Sequence, residues 1–178
     1  KAPKEFGYIQ KTVSTKTRMV IRDRRHNSAN ETWYFSDSSL QKTEKQDLER
    51  TLSFIGGVKV GGSWKFPYEP STTFDSIVSL GVIPEVKSHQ FYPTPASIAQ
   101  YVAQILKCQP TDQILDPDAG RGDLVAFLDV PEENITSVEI SPLFCDILGA
   151  KGFNVYNKDF LAWSKEFITA PGYDKIAI

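Results

Sequence analysis

The chain has 178 residues, 40% of them hydrophobic and 24% charged, with a formal net charge of −2. Those proportions exclude disordered and collagen-like chains and leave room for one ordinary domain, or one domain and a small module, around a packed core. The charge is unevenly spread: residues 1–66 hold 13 Lys and Arg against 7 Asp and Glu, a net +6, and the remainder holds 7 against 15, a net −8.

A polyanionic partner is therefore expected on the basic half. Cys108 and Cys145 lie far apart without CxxC spacing, which points to reduced thiols. His26 and His89 have no ligand-spaced companions, so no metal site is expected. With no apolar run of bilayer length and no signal-peptide pattern, a soluble cytoplasmic protein is expected, and the missing initiator Met suggests a trimmed start.

In chain order, residues 1–16 read as a lysine-rich arm with little periodicity. Residues 17–22 and 31–35 are β-rich runs separated by 23–28, which together suggest a hairpin with a basic loop. Leu48, Leu52 and Ile55 recur at helical spacing, predicting a helix over 43–55 capped by Ser38, Ser39 or Thr43 and closed by Gly56-Gly57. Residues 58–67 predict a second hairpin turning at Gly61-Gly62, and residues 72–80 a helix ending at Gly81. Trp33, Tyr34, Phe35, Trp64, Phe66 and Tyr68 are numerous for so short a segment. They suit a core, or alternatively a platform that stacks on bases between Arg and Lys side chains. Residues 1–83 are thus expected to form a small mixed α/β module that contacts nucleic acid or a partner, with Arg22, Arg24, Arg25, Lys59 and Lys65 as candidate contacts.

Residues 84–90 read as a linker. Phe91-Tyr92-Pro93-Thr94-Pro95 then imposes an extended path, and Ile98, Val102, Ile105 and Leu106 predict a helix over 96–107 with Thr94 as its N-cap and Pro95 near its first turn. Beyond it, strand and helix alternate: 113–116 then 124–128, 135–140 then 142–148, 154–157 then 160–167, and finally 173–178. Alternation of this kind predicts a parallel sheet with crossover helices, whose ligands bind at the carboxyl ends of the strands. Asp116, Glu139 and Asp159 fall at or beside those ends.

The first of these ends carries the most chemistry. Asp116-Pro117-Asp118-Ala119-Gly120-Arg121-Gly122-Asp123 runs from an apolar strand into a turn expected to open a helix, and Gly120 and Gly122 let backbone approach a ligand closely. A dinucleotide fingerprint would want glycine at Val125, and the carboxylates of Asp116, Asp118 and Asp123 would repel a pyrophosphate. An acidic turn instead suits a ligand with a cationic part and sugar hydroxyls, such as S-adenosylmethionine. Glu139, about 20 residues past the turn, is placed to accept from both ribose hydroxyls.

In order and spacing, Phe91 to Pro95, Asp116 to Leu124, Val138-Glu139-Ile140 and Asn157-Lys158-Asp159-Phe160 resemble the cofactor motifs of class I S-adenosylmethionine-dependent methyltransferases of the N6-adenine DNA branch. The resemblance covers residues 90–178 and implies the first four strands of a Rossmann-like α/β sheet. It also implies that Tyr92 and Thr94 line the methionine end, and that Asp116, Ala119, Gly120 and Gly122 hold its amino group and backbone. Glu139 would take the ribose; Asp159 would accept from the cofactor's adenine amine, with Ile140 and Phe160 against the ring. Residues before the linker are loosely similar to extensions of some phage and plasmid methyltransferase-like proteins. The branch's Asn/Asp-Pro-Pro-aromatic motif, which follows the fourth strand, is not among these 178 residues and would be expected just after Ile178, so no catalytic residue is assigned. Two alternatives stand beside DNA methylation: a non-catalytic methyltransferase-like protein that binds DNA or a partner in restriction or phage defence, and a methyltransferase acting on RNA or protein glutamine.

Overall fold

The computed structural model describes residues 10–84, 91–166 and 172–178. The chain divides into two compact units, Lys1–Tyr92 and Pro93–Ile178. Most of the expected linker, residues 85–90, and residues 1–9 of the expected arm lie outside the described residues.

In the first unit the elements run β1 (Gln10–Thr12), α1 (Thr15–Arg22), β2 (Arg25–Asn27), β3 (Thr32–Tyr34), α2 (Lys42–Phe54), β4 (Val58–Val60), β5 (Ser63–Lys65), α3 (Ser71–Leu80) and β6 (Val82–Pro84). A four-stranded antiparallel sheet has the order β2-β3-β5-β4, and β1 pairs antiparallel with β6. One sheet face is apolar: Trp33 and Trp64 sit side by side in register, both buried, and Trp33, Phe35 and Phe66 all meet Phe74 of α3 edge-on, at 5.3, 5.5 and 5.3 Å. Four of the six aromatics singled out in the sequence therefore build this core. Tyr34 stays 41% exposed on the other face.

Three sequence expectations for this unit are corrected. Residues 17–22 are helical, because Thr17, Val20 and Ile21 bury one helical face at i, i+3 and i+4, and the Ser14 hydroxyl accepts the Thr17 N–H at 3.1 Å as the N-cap. The hairpin consequently starts later, at β2, and Asp23 is the C-cap of α1. Helix α2 is capped by neither Ser38, Ser39 nor Thr43; its N-cap is Gln41, whose N–H donates to Glu44 Oε2 at 2.8 Å. Residues 10–12 of the supposed arm are a strand, held by pairing to β6 about 70 residues on and by Asp47 of α2. That carboxylate accepts from Lys11 Nζ at 3.1 Å, from Thr17 Oγ1 at 3.1 Å and from the Ser14 N–H at 3.4 Å. The hairpin at Gly61-Gly62 and the left-handed Gly81 at the end of α3 are as expected.

The second unit runs α4 (Ala96–Leu106), β7 (Ile114–Asp116), β8 (Ile135–Glu139), α5 (Pro142–Ala150), β9 (Asn154–Asn157), α6 (Phe160–Trp163) and β10 (Lys175–Ile176). Its four strands are parallel in the order β10-β7-β8-β9. Strands β7 and β8 are buried along their whole length, as central parallel strands covered on both faces must be. Ile114 and Ile135 pack with Leu148 of α5, while Leu115 and Val138 pack with Trp163 of α6, so the two helices cover opposite faces. From β7 the chain moves outward to β8 and β9 and then returns to the other side of β7. The carboxyl end of β7 is therefore a topological switch point, where crossovers diverge and leave a crevice.

Two expectations fail here. The N-cap of α4 is Pro95 (φ −58°, ψ 140°), not Thr94. The glycine turn opens no α-helix: residues 125–127 make one 3₁₀ turn and residues 132–134 another. Pro131 pushes Val130 out of the helical region, and the chain is already extended at Leu128 (φ −76°, ψ 137°). Of the helix expected over 160–167, the α-helical part is Phe160–Trp163, followed by a 3₁₀ turn to Glu166; Phe167 lies outside the described residues.

Candidate functional site

Period-two alternation decides which side chains gather at the strand ends. Asp116 is the last residue of β7 and aligns with Ser137 of β8; Glu139, the last residue of β8, aligns with Asn157. Ile114, Asp116, Ile135, Ser137 and Glu139 thus share one sheet face, with aliphatic residues below and polar ones at the carboxyl end. The alternation that builds the core at one end of the strands delivers two carboxylates to the other.

Both are buried. Asp116 is 2% exposed and its Oδ2 has no hydrogen-bond partner; beside it, the fully buried Ser137 Oγ has none either. Burial pushes the Asp116 carboxyl from the ordinary carboxylate range to about 7, against the pull of the Asp118 amide and reinforced by the Asp118 and Glu139 charges. Burial likewise pushes Glu139 to about 7, opposed by the amides of Ser141, Gly120 and Ile140. Asp118 itself is exposed at the rim.

Glu139 is the latch of the site. Its Oε2 accepts the Gly120 N–H at 2.8 Å and its Oε1 the Ser141 N–H at 2.6 Å, so one side chain ties the glycine turn to the start of α5. The turn is further fixed by the Ala119 N–H on the Val138 carbonyl (3.2 Å) and the Gly122 N–H on the Ala119 carbonyl (2.7 Å). Gly120 and Gly122 both have positive φ, 53° and 74°. Arg121 and Asp123 pair with one another at 2.7 Å, which removes one of the three carboxylates from the free negative charge of the turn. Asn157 Nδ2 donates to the carbonyls of Glu139 and Ile140 at 2.9 and 3.0 Å and holds the ends of β8 and β9 together.

Of the residues expected to bind a cofactor, Asp116, Ala119, Gly120, Gly122 and Glu139 are brought together by these contacts. Asp159 follows β9 as the N-cap of α6, accepting the Leu161 N–H at 2.8 Å through Oδ1; Phe160 is partly buried against Trp163, and Ile140 is half-buried after β8. Tyr92 is 73% exposed and belongs to the first unit, while Thr94 belongs to the second. Sequence reasoning assigned no role to Ser137, Ser141 or Asn157. A polar residue at the centre of an apolar strand was a readable signal for Ser137; the other two act through backbone groups or on them and leave no trace in composition.

With no α-helix following the glycine turn, its amides carry no helix dipole, and two buried acids face the crevice; an anionic group is disfavoured there twice over. A cation with hydrogens to donate is favoured, because it would donate to the unpartnered Asp116 Oδ2 and neutralise charge that burial penalises. Neither cysteine suits nucleophilic work: Cys145 is pushed up to about 12 by burial and the Glu139 charge, and burial also raises Cys108. Among the described residues no group of three or more His, Cys, Asp and Glu is placed to hold a metal ion, and no helix is long and apolar enough to cross a membrane. A cleft of about 430 Å³ between α4 and residues 127–129, lined by Gln104, Lys107, Cys108 and Phe127 among others, includes none of the strand-end acids.

The five candidate nucleic-acid contacts separate by partner. Arg22 pairs with Asp23, Lys59 with Glu49, and Arg24 with Asp75; the Arg24 guanidinium also lies 5.0 Å from the Phe74 ring centre and 5.9 Å from that of Trp33. Arg25 and Lys65 are exposed strand residues.

No protein-family model matches the chain, and no curated protein or solved structure matches it.

Proposed function

We propose that the second unit is the cofactor-binding half of a Rossmann-like S-adenosylmethionine-dependent methyltransferase, acting on the N6 amine of adenine in DNA. The observation that carries the proposal is Asp116: a buried carboxylate with an unsatisfied oxygen, at a topological switch point, beside a glycine turn. An ammonium group supplies what that oxygen lacks.

The residues present fit the cofactor's chemistry. Asp116 would take the ammonium, and the Gly120 to Gly122 turn would let backbone come against the methionine portion, which Thr94 would also line. Glu139 spends one lone pair of each oxygen on an amide, and a carboxylate has about four acceptor positions, so capacity for the ribose hydroxyls remains. Asp159, with Oδ1 on the Leu161 amide, would accept from the adenine amine through Oδ2, and Ile140 and Phe160 supply apolar surface for the ring. When bound, the cofactor supplies an electrophilic methyl group on its sulfonium. No residue described here is assigned to the transfer itself, because the Asn/Asp-Pro-Pro-aromatic motif of the resembling branch is not in this sequence. A DNA substrate is supported by the net +6 of residues 1–66.

Titration calorimetry of S-adenosylmethionine into the full chain tests the proposal. Saturable binding is expected, lost in Asp116→Ala and in Glu139→Ala. Because the Asp116 carboxyl sits at about 7 by burial, it is mostly protonated at pH 6 and mostly ionised at pH 7.5. The affinity should therefore tighten roughly five- to tenfold between those values. A folded chain that binds no cofactor at either pH would overturn the proposal.

A further inference from the structure

The first unit's sheet has two faces of different character. Against the helices lie Trp33 and Trp64; on the opposite face lie Arg25, Tyr34 and Lys65, with Val58 (63% exposed) and Val60 (47% exposed) toward the β4 edge. None of the residues that β2 to β5 direct to this face is acidic.

Tyr34 is central to the open face. The Arg25–Tyr34 and Trp33–Trp64 registers set it between Arg25 and Ser63, and set Thr32 between Asn27 and Lys65. Thr32 and Ser63 beside it are covered, at 3% and 6% exposure, while the tyrosine remains 41% exposed.

Charge is consistent with the same face. Among the described residues of this unit, Lys11 is paired with Asp47, Lys16 with Glu44, Arg24 with Asp75, Lys45 with Asp37 and Lys59 with Glu49, while Arg18, Lys42 and Arg50, all on helices, have no acidic partner. Arg25 and Lys65 have no acidic partner among the described residues, and they flank the ring, Arg25 on β2 and Lys65 on β5. Two unpaired cations on either side of an exposed aromatic suit a strand that offers phosphate, base and phosphate in turn. A base must be unpaired to offer its flat face to a tyrosine on a sheet, which selects a single strand over a duplex.

We infer that the open face of β2-β3-β5-β4 is a single-stranded nucleic-acid surface, with Tyr34 stacking on a base and Arg25 and Lys65 contacting the flanking phosphates. It is independent of the cofactor crevice and involves neither Arg22, Arg24 nor Lys59.

Fluorescence anisotropy with a labelled single-stranded oligonucleotide and the full chain provides the test. Saturable binding is expected. Tyr34→Ala should weaken it roughly 5- to 100-fold, as loss of one stacked base does. Tyr34→Phe should stay within about threefold, which separates loss of stacking from loss of fold. The Arg25→Ala/Lys65→Ala pair should weaken binding and lower the slope of log affinity against log salt by about 1.4, the value for two phosphate contacts on a single strand. Arg22→Ala, removing a paired cation, should leave both affinity and slope nearly unchanged. Absence of single-strand binding, indifference to Tyr34→Ala, or tighter binding of a duplex of the same sequence would each overturn the inference.

Discussion

Asp116→Asn is expected to stabilise the fold at pH 7.5 by about 2–4 kcal/mol while abolishing S-adenosylmethionine binding. The direction follows from linkage. In the folded chain the Asp116 carboxyl ionises at about 7 because burial penalises its charge, whereas an unfolded aspartate ionises near 3.8. Between those values the folded state holds a proton that the unfolded state has released, so stability falls as pH rises from about 4 to about 7. A difference of about three pH units corresponds to about 4 kcal/mol at full ionisation, an upper figure because solvent and relaxation reduce it. Asparagine keeps the shape and can still accept the Asp118 amide, yet carries no charge at any pH. The gain should therefore be present at pH 7.5 and vanish near pH 4, where the wild-type carboxyl is protonated as well. Urea unfolding of both proteins at the two pH values checks this, and calorimetry checks the loss of binding. A destabilised Asp116→Asn that retains binding would make Asp116 a structural residue and remove the basis of the proposed site. Trading stability for a functional charge is the pattern expected of a binding group and not of a core residue.

Gly122→Ala is expected to destabilise the chain by roughly 3 kcal/mol or more. Two penalties combine. The backbone at 122 has φ 74°, a left-handed conformation that costs an alanine about 1–2 kcal/mol. The new Cβ would also fall 2.6 Å from Phe153 Cε2 and 3.0 Å from Leu148 Cδ2, distances at which something must move. Both neighbours belong to the core cluster that joins α5 to the sheet, so the movement propagates into packing, an overfilling worth a further 1–3 kcal/mol. Phe153→Leu in the Gly122→Ala background should recover part of the loss, because it relieves overlap and leaves the backbone penalty untouched. If Gly122→Ala unfolded in urea like the wild type, the turn would not be fixed as described, and the contact of Glu139 with Gly120 would lose its role as a latch.

The second unit was the more legible half of the sequence, for a physical reason. Central parallel strands are buried on both faces, so Ile114-Leu115 reads as an apolar run and Ile135 to Val138 as a largely β-branched one bounded by apolar residues, each stopping where the chain meets an acid, and the acids mark the strand ends directly. Glycines likewise announced the turns at Gly61-Gly62 and Gly81, where Gly61 and Gly81 have positive φ. Residues 17–22 misled because threonine, valine and isoleucine favour strands in isolation; burial of Thr17, Val20 and Ile21 against the rest of the unit outweighed that preference. Pairing of Gln10–Thr12 with Val82–Pro84 left no local signal, since its partner lies about 70 residues away. The helix expected after the glycine turn gives way to a 3₁₀ turn at residues 125–127, with Leu128 already extended, and no local pattern in the sequence announces it. At the site, the acids and glycines could be named in advance. Ser137 left a readable signal that was not used, whereas the unpartnered Asp116 Oδ2 and the two amides on Glu139 depend on register and could not be named.

The central claim is that the carboxyl ends of β7 and β8 hold a cationic nucleoside cofactor, and amide NMR on the full chain tests it residue by residue. On titration with S-adenosylmethionine at pH 7.5, the account predicts saturable shifts concentrated at Asp118 to Gly122, at Ile140 and Ser141, and around Asp159 and Phe160. Shifts confined to the cleft between α4 and residues 127–129, or no shifts in a well-folded spectrum, would contradict it.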